Sequence, residues 1–463
     1  MIQFTKEERK ELKKRAARQP EVVARLKENV REVMERPVLV PKEGIANWTL
    51  YYYCPKCSVQ LEFDWDGERS HRCPACGIVY SGEPYDSAWW GLVNSRNYNA
   101  AHEMGLIYAA TGEKVYAQKS VEILLAYAKH YPDYQVHGNI PYNGPGRSGA
   151  QTLDEANFQR NLAMAYDLVE EMMTQEEKEY VRDRMFLPGA KFLMEHRKDQ
   201  LHNHEVIISS AIAVIGILFE RKDFIRFAVY EKYGLLYQLE HGMLPYHMWF
   251  EGSFGYHFYA LQSFFAFEKF AIHTEYSHIH HPNYLAMTEV LADYLQPDGR
   301  MPMLNDTTLH HTDSELYQYE FAWRQMKSDR LLWILNRKPF SMGRIHCRRF
   351  RMPERRSGWT EITIRPWKHT AIPSCAAAMD DICCSSMIPM AGSTITTTAL
   401  ASVIWPLESR FRWIWERRVT GQSCIMTITK IRARTIRWSS GRKTRPLPPA
   451  VFCSMRTMER RCM

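Results

Sequence analysis

At 463 residues the chain is long enough to bury a large core and to form two or three domains. Its net charge of +8 is unevenly spread: residues 341–463 carry 22 Lys and Arg against 7 Asp and Glu, while the first 340 carry 38 against 45. The basic balance therefore belongs to the tail alone, which removes most of the case for nucleic acid as a partner, since that would need a basic face on the folded part.

Met1 to Lys10 is charged and lacks the apolar stretch of a signal peptide, so a cytoplasmic protein is expected. Thr5 to about Arg36 has charge-rich helical character, and residues 1–48 read as N-terminal helices. Next come Cys54-Pro55-Lys56-Cys57 and Cys73-Pro74-Ala75-Cys76, 15 residues apart. Each two-residue knuckle puts both sulfurs on one side of a tight turn, so four thiolates can close a tetrahedral zinc site. All four positions are Cys, which leaves no open coordination position and makes the role structural. The alternative, two disulfides, is disfavoured in a chain without an export signal. Residues 49–82 are thus expected to form a zinc-ribbon-like insertion.

From Trp89 to about Asn336 the apolar residues recur at spacings of three and four. This predicts helices over Tyr98 to Ala110, Glu113 to Tyr131, Leu153 to Met173, Gln175 to His196, Glu205 to Glu220, Gly255 to His273 and Pro282 to Leu295. Turn residues such as Pro141 to Gly146 and Pro297-Asp298-Gly299 separate them. No strand-period segment interrupts this run. Helical hairpins in succession suggest a solenoid or a toroid, and no fixed-length repeat favours the solenoid. Val206 to Phe219, 14 residues with two serines, is too short to span a bilayer and reads as a buried helix; no membrane span is predicted.

Two polar clusters open apolar helical segments: Leu201-His202-Asn203-His204-Glu205 and Glu251-Gly252-Ser253-Phe254-Gly255-Tyr256-His257. Singly, Asn203 reads as a helix cap and Tyr256 as one aromatic among many. Together they supply amide, imidazole, carboxylate and phenol, the groups needed to bind an acidic sugar and move a proton. These stretches, with Pro297 to Pro302 closing the helical part, resemble the heparinase II/III-like family of polysaccharide lyases. The resemblance covers about residues 89–336. It implies a mainly α architecture, an incomplete (α/α) toroid over residues 83–338, followed by an antiparallel β-sandwich, with β-elimination of uronic-acid-containing polysaccharide at the cleft.

The chemistry fits these residues. Elimination removes the C5 proton of a 4-linked uronide, which is weakly acidic until the neighbouring carboxylate is neutralised and the enolate-like charge has hydrogen-bond donors. Asn203 and His204 are placed to supply donors. Tyr256 would take the C5 proton, give a proton to the departing O4, or do both in turn. A phenol needs a nearby positive charge or imidazole to act as base, for which His204, His257 and Arg147 are candidates. Glu205, Glu251, Gln151 and His202 are read as further substrate contacts or supports, and Asn305-Asp306 as a turn.

The tail, residues 339–463, has a different composition. From Ser341 on there is no Tyr and no Asn, although the first 340 residues contain all 25 tyrosines, and the tail holds 19 Arg and seven of the 11 Cys without a sustained period of 2 or 3.6. A shifted reading frame produces such a change. Joining the third base of each codon to the first two of the next permits Gly-Gly-Glu-His-Asp-His-Tyr-Asp over Met390 to Thr398, and a run containing Gly-Thr-His-Asn-Thr over Cys424 to Ser439. Both look like β-sandwich motifs of the family, which in relatives supply a second catalytic histidine and a metal-binding His and Asp. The implied second metal site is not encoded in this frame. The expected sandwich is accordingly absent or disordered, and the chain as written inactive or impaired. A genuine basic, disordered arm is the other reading, against which stand the tail's many Trp, Ile and Cys residues.

Two rival functions remain at this level. One is a glycoside hydrolase with paired carboxylates, Glu205 with Glu251 or Asp306; the other is a zinc-ribbon binding protein without catalysis.

Overall fold

A computed structural model describes residues 1–138, 143–296, 299–305, 307–310, 312, 315–336, 399–401, 413–420 and 423–430. The chain divides into two compact units, Met1–Ile382 and Cys383–Met463.

The first unit begins with α1 (Lys6–Arg18) and α2 (Pro20–Met34). Thr5 and Glu8 form a reciprocal cap that fixes the start of α1, and Pro20 opens α2, where its missing N–H costs nothing. Residues 49–82 follow as a small module whose strands β1 (His71–Arg72) and β2 (Val79–Tyr80) pair antiparallel, His71 opposite Tyr80.

The helices then stack in two layers. In the inner layer α3 (Tyr85–Thr111) packs on α5 (Thr152–Val169), α5 on α8 (Asn203–Leu218), α8 on α11 (Phe254–Ala271), and α11 on α13 (Leu316–Met326). Outside them lie α4 (Lys114–His130), α6 (Gln175–Val181), α7 (Leu187–His196), α9 (Lys222–Ile225), α10 (Leu235–His241) and α12 (Pro282–Tyr294), and α14 (Asp329–Asn336) packs on α12 and α13. Helix α8 explains the arrangement. It is apolar on every side, so it must be surrounded, and Val206, Ile207, Ala211, Ile212, Ala213, Val214 and Ile215 are fully enclosed. Inner helices run in parallel, shown by contacts at matched depth: Asn157 with Tyr259, Arg160 with Ser263, and Ser210 with the Ser263 carbonyl. Their starts therefore share one rim.

Helix α1 crosses the opposite end. Arg9 pairs with Glu171 just past α5 and lies over the Tyr108 ring, His273 past α11 stands 3.5 Å from Glu8, and Arg15 stands 3.5 Å from Glu320 on α13. Among the described residues no helix is long and apolar enough to cross a membrane.

The architecture is the expected mainly helical one, with differences. Helix α3 starts at Tyr85 rather than Tyr98, because Trp89, Trp90 and Val93 bury against the module and extend the apolar face backwards. The helix expected over Gln175 to His196 is broken by a π-turn, Arg182–Phe186, directly before Pro188; the wider turn sits where Pro188 cannot donate an α-helical hydrogen bond. In the second unit β3 (Ala399–Ala401), β4 (Trp413–Thr420) and β5 (Ser423–Lys430) form an antiparallel sheet in the order β3-β4-β5. The composition gives no sustained strand period there, yet Ile414, Val419, Ile425, Thr427, Ile428 and Thr429 are β-branched, which favours extended backbone.

Candidate active site and metal centre

The module at residues 49–82 brings four sulfurs together. The Sγ atoms of Cys54, Cys57, Cys73 and Cys76 all lie within 4.8 Å of one another, and Cys54 and Cys76 are 3.8 Å apart. Four sulfurs about 2.3 Å from one ion sit about 3.8 Å from each other, so the spacing fits tetrahedral thiolate coordination. Two matched knuckles build it. Ser58 and Gly77, both at positive φ, donate backbone N–H to the Cys54 and Cys73 carbonyls, while Cys54 and Cys73 donate to Val59 and Ile78. The Tyr80 hydroxyl lies 3.2 Å from Cys54 Sγ. Burial raises the Cys54 thiol, but the Tyr80 hydroxyl and the Cys57 and Lys56 N–H groups outweigh it and bring it to about 6. Hydrogen bonding to Cys76, then burial, pushes the Cys57 thiol the other way, to about 12, so it is the convergence of four sulfurs rather than their titration that matches the donor set of zinc. His71, enclosed between the Tyr52 hydroxyl and Asp86 at 2.9 Å each, ties the module to the start of α3.

At the rim, the starts of α8 and α11 meet. Asn203 is the first residue of α8, and the cap is His202, whose Nδ1 accepts the His204 N–H at 3.2 Å. Asn203 is fully enclosed; its Nδ2 donates to Glu251 Oε1 at 3.1 Å, and its Oδ1 has no partner. Glu251 is the hub, since Oε1 also lies 3.6 Å from His202 Nε2 and Oε2 accepts from the Trp249 indole. His202 is further held by Gln238, whose Oε1 accepts its N–H and whose Nε2 binds the Gln200 and Tyr233 carbonyls. His204 is half-buried and meets His202 edge to face at 4.3 Å; burial, then the His202 charge, pushes it down to about 3, so it is a neutral imidazole.

The turn Glu251-Gly252-Ser253 sets up α11. Gly252 has φ +67°, and a Cβ there would lie 2.5 Å from Asn305 Nδ2, which donates to the Glu251 and Gly252 carbonyls. The left-handed backbone favours glycine there. The Ser253 hydroxyl then accepts the Tyr256 N–H, placing Tyr256 half-buried in the first turn.

The other expected contacts are distributed differently. His257 points into the core: Nδ1 accepts the Trp249 N–H at 2.9 Å and Nε2 donates to the Met287 carbonyl at 3.0 Å. Glu205 is enclosed 3.9 Å from Arg197 Nε, and burial raises its carboxyl to about 7. Arg147 lies over the Tyr131 and Phe192 rings, and Gln151 bridges Asn143 and Asp154 at the start of α5. Asn305 stands in a left-handed turn, as read from sequence; Asp306, Pro297 and Asp298 lie outside the described residues. Sequence reasoning missed Trp249, two residues before the Glu251 it bonds, and Gln238, whose partners His202 and Gln200 lie 36 and 38 residues away. No local pattern marks a residue such as Gln238.

The alginate lyase family profile matches residues 93–298. The exo-oligoalginate lyase of Saccharophagus degradans is 32% identical over 184 residues, covering 38% of this chain and 25% of that protein. An alginate lyase of Stenotrophomonas maltophilia is 28% identical over 181 residues, covering 38% and 24%. The chain thus matches about a quarter of the length of these curated relatives. The crystal structure of an alginate lyase from Bacteroides ovatus superposes with a TM-score of 0.51 at 14% identity, covering 72% of this chain and 94% of that one, a likeness of fold. Residues 93–298 are thus similar in sequence to the alginate lyase family, and the helical unit is similar in fold to a solved alginate lyase.

Proposed function

We propose that this chain is a lyase of uronic-acid-containing polysaccharide, with acidic poly- or oligosaccharide as partner, cleaving by β-elimination. The observation that supports the reading is the Asn203–Glu251 hydrogen bond, which joins the start of α8, with its amide and two imidazoles, to the turn that opens α11, whose first turn contains Tyr256. Neutral His204, half-buried, donates to the uronate carboxylate, and the enclosed Asn203 joins it once substrate displaces the Glu251 contact, so the C5–H bond becomes more acidic. Tyr256 takes that proton, or gives one to O4 as the C4–O4 bond breaks and the C4–C5 double bond forms. The names of the curated relatives support a 4-linked polyuronide as substrate class. His202 and Glu251 hold Asn203 in place, and Arg147 and Gln151 support the rim from the segment before α5 and Glu205 from α8. His257 holds the start of α11 on the loop at Trp249.

The reading of residues 339–463 as a β-sandwich in a shifted frame belongs to the same proposal. Sequencing the gene across residues 330–400 tests it, and restoring the frame is expected to raise activity by orders of magnitude by supplying the missing catalytic partners. The test of the chemistry is the product. Elimination leaves a conjugated, ultraviolet-absorbing uronate; Tyr256→Phe in the restored chain should lower its formation about 10³-fold or more. Cleavage without that absorbance would sink the lyase reading. For the zinc-ribbon, we propose one structural Zn²⁺ per chain, measurable by elemental analysis of the purified protein. Paired-carboxylate hydrolysis is not supported: Glu205 is enclosed against Arg197 and Glu251 is engaged by Asn203 and Trp249.

A further inference from the structure

Tyr259 stands one turn below Tyr256 on the same face of α11, since residues three apart on a helix are neighbours with Cβ atoms about 5–6 Å from each other. It is half-buried, as Tyr256 is. Its hydroxyl is held from α5. Asn157 Nδ2 donates to the Tyr259 oxygen at 2.8 Å, and Asn157 Oδ1 accepts from Arg160 Nη2 at 2.9 Å. Arg160 is 4% exposed and is fixed in turn by Nη1, which donates to Ser263 Oγ at 2.7 Å, while the Ser263 hydroxyl donates to the Tyr259 carbonyl at 3.0 Å. Four side chains thus make one unbroken run of contacts between α5 and α11.

The direction of each hydrogen follows from the first link. A guanidinium has donors only, so the amide oxygen of Asn157 must face Arg160 and its NH₂ must face Tyr259. The Tyr259 oxygen is thereby made an acceptor, and its own hydrogen cannot point back at Asn157. Among the described residues no acceptor takes that hydrogen. A neutral side chain at 160 with both donors and acceptors would let the amide turn over. Enclosing a cation with no carboxylate paired to it among the described residues is costly, and fixing the amide is what that cost achieves.

We propose that Arg160 and Asn157 are positioning residues, which hold the Tyr259 hydroxyl as a hydrogen-bond donor to the uronate at the rim, one turn from the Tyr256 phenol. A uronate offers carboxylate and hydroxyl oxygens to such a donor. With the amide reversed, Tyr259 would spend its hydrogen on Asn157 and turn lone pairs toward the acidic sugar. The identity of the ligand rests on the lyase reading; the fixed amide does not.

The test is calorimetric titration of the full chain with 4-linked tetramannuronate. Tyr259→Phe, which removes one oxygen, should weaken binding about tenfold. Asn157→Asp is the decisive variant. A carboxylate cannot donate, so it takes the Tyr259 hydrogen for itself while gaining an ion pair with Arg160. It should match the loss in Tyr259→Phe, and the double variant should lose no more than either single one, which a role in packing alone would not produce. If Asn157→Asp does not fold, Arg160→Gln decides in its place, because glutamine lets the amide turn over and part of the same loss is expected. An affinity within about twofold of the parent in Tyr259→Phe or in the folded position-157 or position-160 variant, or losses that multiply in the double variant, overturns the proposal. It and the lyase reading fail separately. If the frame-restored chain leaves polyuronide uncut while Tyr259→Phe still weakens tetramannuronate binding, the lyase reading falls and the donor stands. If polyuronide is cut and Tyr259→Phe binds like the parent, the donor alone falls. A parent chain that binds no tetramannuronate takes both down.

Discussion

Helix α8 encloses seven aliphatic side chains completely, whereas the whole module at residues 49–82 encloses Tyr52, Leu61 and Trp65 besides two of its cysteines. Strands β1 and β2 are two residues each. So small a segment cannot bury enough apolar surface to offset the entropy of ordering it, and the proposed metal on its four-cysteine cluster would supply what is missing. On that proposal the chain holds one region by burial and another by coordination, and the two should fail under different treatments.

Removing metal has the largest expected effect. Chelation, or Cys73→Ser, should open residues 49–82 to protease while residues 85–336 stay protected, since thiolate sites of this kind contribute on the order of 10 kcal/mol. If both regions melted together the contrast would be wrong. Next is Phe264→Ala in α11. Phe264 is fully enclosed, edge-on to Tyr284 at 5.6 Å, and truncation should cost about 3–5 kcal/mol of ring stability by denaturant titration. Zinc content should be unchanged.

The smallest effect sharpens the electrostatic side. Glu268 accepts from Ser277 Oγ and the His278 N–H, yet burial raises its carboxyl to about 7. The folded chain then keeps a proton that the unfolded chain releases from the ordinary Glu range upward. Stability therefore falls as pH rises from about 4.5 to 7 and levels off above that. Glu268→Gln should remove about 1–3 kcal/mol of that slope in melts between pH 5 and 7.5; an unaltered slope would show that Glu268 is ionised in the fold. Asp154 and Glu205, raised to about 7 by burial as well, account for part of what remains.

What was legible in the sequence follows from distance along the chain. The Cys spacing, the apolar run of α8 and the helix expected from Gly255 are local patterns, and the structure carries each, α11 starting one residue earlier behind the Ser253 cap. The cap of α8 is one residue from Asn203 because backbone geometry, not residue type alone, decides which side chain faces the free N–H groups. His257 looks like Tyr256's neighbour in a motif, but adjacent helical residues point about 100° apart, and its imidazole is spent on Trp249 and Met287. Arg160 carries no signal at all, because a cation in the middle of a helix acquires meaning only from what stands opposite it.

The contacts of α1 reach far: Arg15 meets Glu320 across 305 residues, and the Ile2 and Gln3 N–H groups meet Asp167 across 165 and 164. Contacts so remote along the chain form late, after the intervening helices have assembled. The Asp167 and Glu171 contacts can form once α5 is in place, whereas the Arg15–Glu320 pair must wait for α13, so this segment docks in two stages.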